Sequence, residues 1–423
     1  MKTAKFVLLT AVFLAAFTQA DAQNKKSAFH AGFFPPLDTH GSAAKEYVNT
    51  VSVNLLVGVS AGERAFALSG LGNTVLGNAA GVSLSGLWNY TGGNKRGVDL
   101  AGLGNVTAGD AKGIALAGLG NYTGGNGRGV SLAGLANIVR GVRYNGVQAA
   151  GLFNMADGFK GVQAAGLFNV SGDMKGVQAA GLFGSADWVK GVQGNGLLGI
   201  AERMKGFQGS GLVNIASETK GVQAAGLLNI AGRMKGVQLA GLVNIADRAK
   251  GVQAAALLNI ARSSTCPIGL VNIIGDGEMS VAVVYRETGS VTAEFRSGSR
   301  VTYGILGAGY NHRADGKETF ATVAGIGAHI NCTRWLRIKN ELTAEAIGGF
   351  TDDRRTLRAG YGLLPEFVIA RRVGIFGGPS INFMYADRGS TDMLPSGHLW
   401  KGGVRSGTGQ LYIGYTVALE LIF

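Results

Sequence analysis

Gly146-Val147-Gln148-Ala149-Ala150-Gly151-Leu152-Phe153-Asn154-Met155-Ala156, closed by the polar link Asp157-Gly158-Phe159-Lys160, decides the fold because it keeps returning. Copies start at Gly146, Gly161, Gly176, Gly191, Gly206, Gly221, Gly236 and Gly251, a spacing of 15 residues. Earlier copies, near Ala65, Gly81, Gly97, Gly113 and Gly129, run at a spacing of 16 and keep Gly-Leu-x-Asn, with Ser, Asp or Ala in place of Gln. Ile268-Gly269-Leu270-Val271-Asn272 is a degenerate last copy. Self-similarity at a fixed period means a repeat architecture and outranks any short motif found inside it.

Within a copy the alternation has period two, which is a strand. In the copy at Gly81 one face carries Val82, Leu84, Gly86, Trp88 and Tyr90, the other Ser83, Ser85, Leu87 and Asn89. The position after Gly-Leu accepts any apolar volume, from Gly72 and Ala136 to Val213, Phe153 and Trp88. Such tolerance suggests a fluid neighbour such as lipid rather than a close-packed core. Two architectures fit. As coils of a parallel β-solenoid, the copies would stack Asn154, Asn169, Asn214 and Asn229 into a ladder and preserve chain direction. As antiparallel strands of one large barrel, they would send Lys160, Lys175, Lys190, Lys205, Lys220, Lys235 and Lys250 alternately to opposite rims. Stacked coils would instead hold these charges ~5 Å apart. The large barrel, however, would line a wide lumen with Leu152, Leu167 and Leu182, so the solenoid is preferred.

Beyond about Met279 the copies give way to longer, unlike strands. From Trp335 to Ile347 the face Leu336, Ile338, Leu342, Ala344 and Ala346 alternates with Arg337, Lys339, Glu341 and Glu345. From Leu357 to Ile369 an apolar set including Tyr361, Leu363 and Phe367 faces away from Arg358 and Glu366. Segments near 301–313, 319–331 and 374–386 are similar. Leu411, Ile413, Tyr415, Val417, Leu419, Leu421 and the terminal Phe423 form one apolar face, as expected of a lipid-facing closing strand that leaves no edge. The reading is all-β: a C-terminal outer-membrane transmembrane β-barrel over 277–423, preceded by an opening strand (Val51–Val59) and tandem β-repeats over 46–276.

The other end predicts export. Lys2 and Lys5 precede the apolar run Phe6 to Phe17, and Ala20-Asp21-Ala22 supplies small residues for cleavage before Gln23, so 1–22 reads as a signal peptide. The run is too short for a spanning helix. Residues 23–45, with Pro35-Pro36, read as a polar surface arm. The chain has 71 glycines, 6 prolines, 15% charged residues and a formal charge of +13. In an exported protein that excess suits outer-membrane lipid, anionic glycans or lipopolysaccharide phosphates rather than nucleic acid. Cys266 and Cys332 are far apart in sequence and leave a disulfide and two free thiols equally open.

A search for chemistry finds no catalytic, cofactor-binding or metal site, and none is predicted. His30, His40, His312, His329 and His398 have no metal-ligand spacing and read as solvated loop or lumen residues. Gly102-Leu103-Gly104 belongs to the repeat, and no Gly-Lys-Ser/Thr follows it. The sequons at Asn89, Asn105 and Asn121 are likewise products of the repeat. Arg337, Lys339, Glu341, Glu345, Arg358 and Glu366 read as the ion-paired filling of a small barrel, in preference to an ion pathway or acid/base site.

The strand Val51-Ser52-Val53-Asn54-Leu55-Leu56-Val57-Gly58, the Gly-Val-Gln-Ala-Ala-Gly-Leu-x-Asn copies and Pro267-Ile268-Gly269-Leu270-Val271-Asn272 resemble bacterial surface-repeat proteins over roughly 46–300. That family has no established activity or site residues to carry over. Some relatives look like lipoproteins; this chain has no cysteine near the cleavage site, which fits anchoring by its own barrel. Residues 300–423 resemble small porin-like outer-membrane barrels, and the final strand ending in Phe423 resembles the signal read by the barrel-assembly machinery. The expected function is a non-enzymatic outer-membrane surface protein, structural or adhesive, without cofactor. The alternative is a porin-like channel whose repeats contribute barrel strands.

Overall fold

The computed structural model describes residues 24–313, 320–348, 355–370, 372–387, 394–404 and 407–423; the signal segment 1–22 and its cleavage site before Gln23 lie outside the described residues. The chain divides after Gly166 into two compact units.

Residues 24–166 are stacked coils. Like residues of successive copies pair in parallel: Asn73 with Asn89, Asn89 with Asn105, Asn105 with Asn121. Gly81, Gly97 and Gly113 do the same on the facing wall. The backbone therefore hydrogen-bonds from coil to coil, and chain direction never reverses, which rules out the reading of the repeats as antiparallel strands of one large barrel. The polar arm expected over 23–45 is corrected in the same way. Lys25–Phe34 is a strand lying parallel on Tyr47–Asn54, from the pair Lys25 with Tyr47 to Gly32 with Asn54. It lacks the Gly-Leu-x-Asn signature, and it pairs because the first full coil would otherwise leave an open edge.

The first Gly of each copy is set by stacking. Gly97, Gly113 and Gly129 have φ of 125–136°, and a Cβ on any of them would sit within 2.0 Å of the carbonyl oxygen one coil back. Only Gly tolerates both the conformation and the contact.

Residues 167–423 hold further coils and then the barrel. Lys175, Lys190, Lys205, Lys220, Lys235 and Lys250 stand in register, one per coil. The close like charges that counted against stacking are thus present. Barrel strands are β1 (Glu278–Arg286), β2 (Ser290–Gly298), β3 (Thr302–Asn311), β4 (Phe320–Asn331), β5 (Leu336–Gly348), β6 (Arg355–Ile369), β7 (Val373–Asp387) and β8 (Gly407–Ile422). Each pairs antiparallel with the next, and β1 pairs with β8 from Ser280–Ile422 to Arg286–Thr416, closing an eight-stranded barrel. A short strand, Trp400–Val404, pairs with the first part of β8. The short turns 299–301 and 332–335, the start of β1 and Phe423 share one end.

Candidate functional site

The coils of the second unit are polar inside and apolar outside. Gln178, Gln193, Gln208, Gln223, Gln238 and Gln253 are fully buried, and each amide from Gln193 onward donates to the carbonyl oxygen one coil back at 2.8–3.0 Å. On the facing wall Asn214, Asn229 and Asn244 each donate to the next Asn at 3.0 Å and across the coil to the oxygens of Ala224, Leu239 and Ala254 at 2.6–2.8 Å. Both amide hydrogens are therefore used, as a buried amide requires. Gly184 and Gly199 stand where Asn is expected, and Asn195 and Ser210 on the opposite wall fill their places: a Cβ on Gly184 would lie 2.1 Å from Asn195 Oδ1. The polar group has changed walls while the space stays filled.

Outward, Val177, Val192 and Phe207 on one wall, and Ile200, Ile215 and Ile230 on the other, are exposed or half-buried. Leu182, Leu197, Leu212, Leu227 and Leu242, each after a Gly, and Leu257, after Ala256, form an edge, each more than 40% exposed. Every charged residue between 167 and 265 lies at the opposite edge, in the links: ten basic and five acidic. A few pair there, such as Arg262 with Asp247 at 2.9 Å. In the other unit the Leu103, Leu119 and Leu135 edge is exposed in the same way. There, burial raises the pKa of the Glu63 carboxyl despite hydrogen bonds from Ser60, Ser52 and Asn49. Burial likewise raises that of Asp99, although Lys95 lies 2.7 Å away.

The last coil packs along the outer wall of β2 and β3. At the turn, Ser299 Oγ donates to Thr265 O (3.1 Å); further along, Thr302 Oγ1 donates to Pro267 O (2.9 Å). Asn272 N then donates to Ser297 Oγ at 2.9 Å. Gly304 faces outward, because its neighbours Tyr303 and Ile305 point inward, and a Cβ there would meet Gly269 O at 2.1 Å and Leu270 O at 2.4 Å. The charged edge is thus level with the barrel rim, and the Leu edge points toward the middle of the wall, beneath the outward-facing Phe295 and Leu306.

The six charged residues singled out in sequence converge in the barrel interior, joined by others. Arg296 bridges Glu294 (2.8 Å) and Glu341 (3.1 Å), and Arg286 pairs with Glu294 at 2.5 Å. Lys339 holds Glu366 at 3.2 Å, contacts Glu420 and lies 4.1 Å from the Phe376 ring centroid. Arg337 contacts Glu366 and Glu278, and Arg358 reaches Glu287 (3.3 Å) and Glu345 (3.6 Å). Tyr303 and Tyr412 donate to Glu341 and Glu287, both at 2.8 Å. The pairs between Glu294, Arg296 and Arg286 have a sequence signal of their own, the inward alternation Thr292, Glu294, Arg296.

The histidines are not all solvated. His30 is 1% exposed, stacked on His40 with 4.9 Å between ring centroids, and His40 stacks on Tyr47. His329 stacks on Tyr303. Asn89, Asn105 and Asn121 are buried ladder members. Cys266 and Cys332 are free thiols. No group of His, Cys, Asp and Glu among the described residues could hold a metal ion.

The chain matches no protein-family model and no curated protein. A solved structure described as "De novo design of transmembrane beta-barrels" is similar over 34% of this chain and 93% of its own, at 13% identity and a TM-score of 0.21. That likeness is too slight to carry function. The resemblance to surface-repeat proteins therefore rests on the quoted copies alone.

Proposed function

We propose that this chain is a non-enzymatic outer-membrane protein, exported by its leader, in which the barrel is the anchor and the coils a structural or binding module. One observation carries the reading: the barrel turns apolar side chains outward on all eight strands while its polar and charged groups face in. Burying that exterior in hydrocarbon favours insertion, and the closed ladder leaves no edge to satisfy. Of the two roles expected for the repeats, the structural one is favoured, because the coils join the barrel at its short-turn end. In outer-membrane barrels that end faces the periplasm rather than the cell exterior.

The lumen supports the anchor over the channel. Seven carboxylates, Glu278, Glu287, Glu294, Glu341, Glu345, Glu366 and Glu420, each face an Arg or Lys within 3.6 Å. Eight strands enclose little more than side chains can fill. Two measurements test this. The purified chain is expected to remain in the membrane pellet after an alkaline wash and to run as a compact band on unheated detergent gels; a freely soluble monomer without detergent overturns the membrane reading. In planar bilayers no stable ohmic steps are expected, and their appearance makes the channel the better account.

A further inference from the structure

The coils carry the chemistry of a membrane protein on a fold that encloses no lumen. Their Gln and Asn ladders hydrogen-bond inside from coil to coil, and their outer walls and one edge are apolar. Contiguous exposed apolar surface of that kind marks a contact with lipid or protein. What selects lipid is the placement of charge. Basic and acidic groups are confined to the edge opposite the leucines, with an excess of five positive charges between residues 167 and 265. A protein partner on the apolar walls would not require this separation, whereas an interface between hydrocarbon and headgroup does.

Height and level agree. From the Lys edge to the Leu edge one wall runs seven residues, about 23 Å at ~3.3 Å per residue. One leaflet with its headgroups is about 20–22 Å, half of a ~40–45 Å bilayer. The coil is therefore too short to span and tall enough to fill one leaflet. The junction fixes the level independently: Thr265, at the charged edge, sits by the turn residue Ser299, while Gly269 and Leu270, at the Leu edge, cover Gly304 on the barrel's outer wall.

We infer that the coils of residues 167–276 are embedded edge-on in one lipid leaflet beside the barrel, with the leucines toward the bilayer midplane and the Lys ladder among the headgroup phosphates. The leaflet is the one on the short-turn side. The inference rests on the barrel being the membrane anchor. In-register lysines, which repel one another in water, are then interleaved with phosphates, and the absence of volume selection after Gly-Leu follows from a fluid neighbour.

The test uses the full chain with Cys266 and Cys332 replaced by Ser, reconstituted in vesicles of phosphatidylethanolamine and phosphatidylglycerol. Nitroxide labels are placed singly through Leu212→Cys, Leu242→Cys, Lys220→Cys and, on the barrel, Leu419→Cys. Relaxation by oxygen and by a water-soluble nickel chelate reads depth. Labels at 212, 242 and 419 are expected to favour oxygen strongly, and the label at 220 to give an intermediate ratio. If 419 favours oxygen while 212 and 242 favour nickel, the coils lie in water and the inference fails with the barrel reading intact. If 212 and 242 are shielded from both agents and broadened by spin–spin contact, a second copy covers them, which also overturns it. If 419 favours nickel, the barrel reading itself fails.

Discussion

The coils and the barrel solve one problem in two ways. Both bury polar side chains and turn apolar ones outward, and both satisfy their backbone by pairing neighbouring strands. The barrel closes a sheet on itself by pairing β1 with β8. The coils keep their sheets open and close them by stacking: in one unit Lys25–Phe34 covers the first full coil, and in the other β2 and β3 cover the last. The difference lies in what the interior is made of. The barrel pairs its buried cations with carboxylates in combinations that differ from one cation to the next, as for Arg296 with Glu294 and Glu341 and Lys339 with Glu366 and Glu420, so its contents are individual. The coils hold amides, which pair with copies of themselves, so their contents are periodic. A charged ladder could not be stacked that way; an Asn or Gln ladder can, because each amide is donor and acceptor at once.

That contrast can be broken by substitution, most severely at the stacking glycines. Gly221→Val places a side chain at φ 133° and about 2.0 Å from Gly206 O. A loss above ~4 kcal/mol is expected, since strain and overlap both apply. Urea unfolding of the detergent-solubilised chain and proteolysis of the coil region are the readouts; Gly397→Val, where a Cβ meets nothing within 4 Å, serves as the neutral control. In the barrel, Lys339→Met leaves Glu366 and Glu420 without their shared cation, at a cost of ~3–5 kcal/mol. The downward shift of the heat-modifiable gel transition measures it. An unchanged transition would mean the lumen network is not a stabilising unit.

The amide ladder should be mid-sized and repairable. Asn229→Gly removes bonds to Asn244 and Leu239 O, with a cost of ~1–3 kcal/mol. Adding Ala240→Asn reproduces the wall exchange seen at Gly184 and Asn195 and should restore most of the loss. A double mutant no better than the single one would refute the exchange. The smallest effect concerns Glu63. Its folded-state pKa is raised by burial, so the folded chain holds the proton more tightly than the unfolded one. Stability should be full below the ordinary carboxylate range, fall as pH rises through the raised value, and then level off. Glu63→Gln should flatten that segment and leave the rest of the pH profile alone.

The barrel was legible because its alternation is strong and its strands unlike: the inward set from Arg337 to Glu366 and the outward set from Leu411 to Phe423 both lie as read. Which cation meets which carboxylate was not, since those partners are up to 81 residues apart, as for Lys339 and Glu420. For the repeats, period and strand were legible and pairing direction was not. A 15-residue unit with one strand-like stretch suits parallel and antiparallel neighbours alike, and repulsion among the lysines points to the antiparallel arrangement, which the structure does not adopt. The coil at Lys25–Phe34 is not legible because nothing in its own residues marks it; it is recruited by the edge it covers.

The wall exchange at Gly184 and Gly199 limits how the array could be shortened or lengthened. Excising 221–235 would set Asn214 opposite Ala240, equivalent to the Ala225 beside it now, and the stack should close without a seam. Excising 176–190 would force Asn169 against Asn195, two amides competing for one place, and excising 206–220 would leave Gly199 facing Ala225 across a hole. Copy number is thus free to drift in one stretch of the array and held fixed in another.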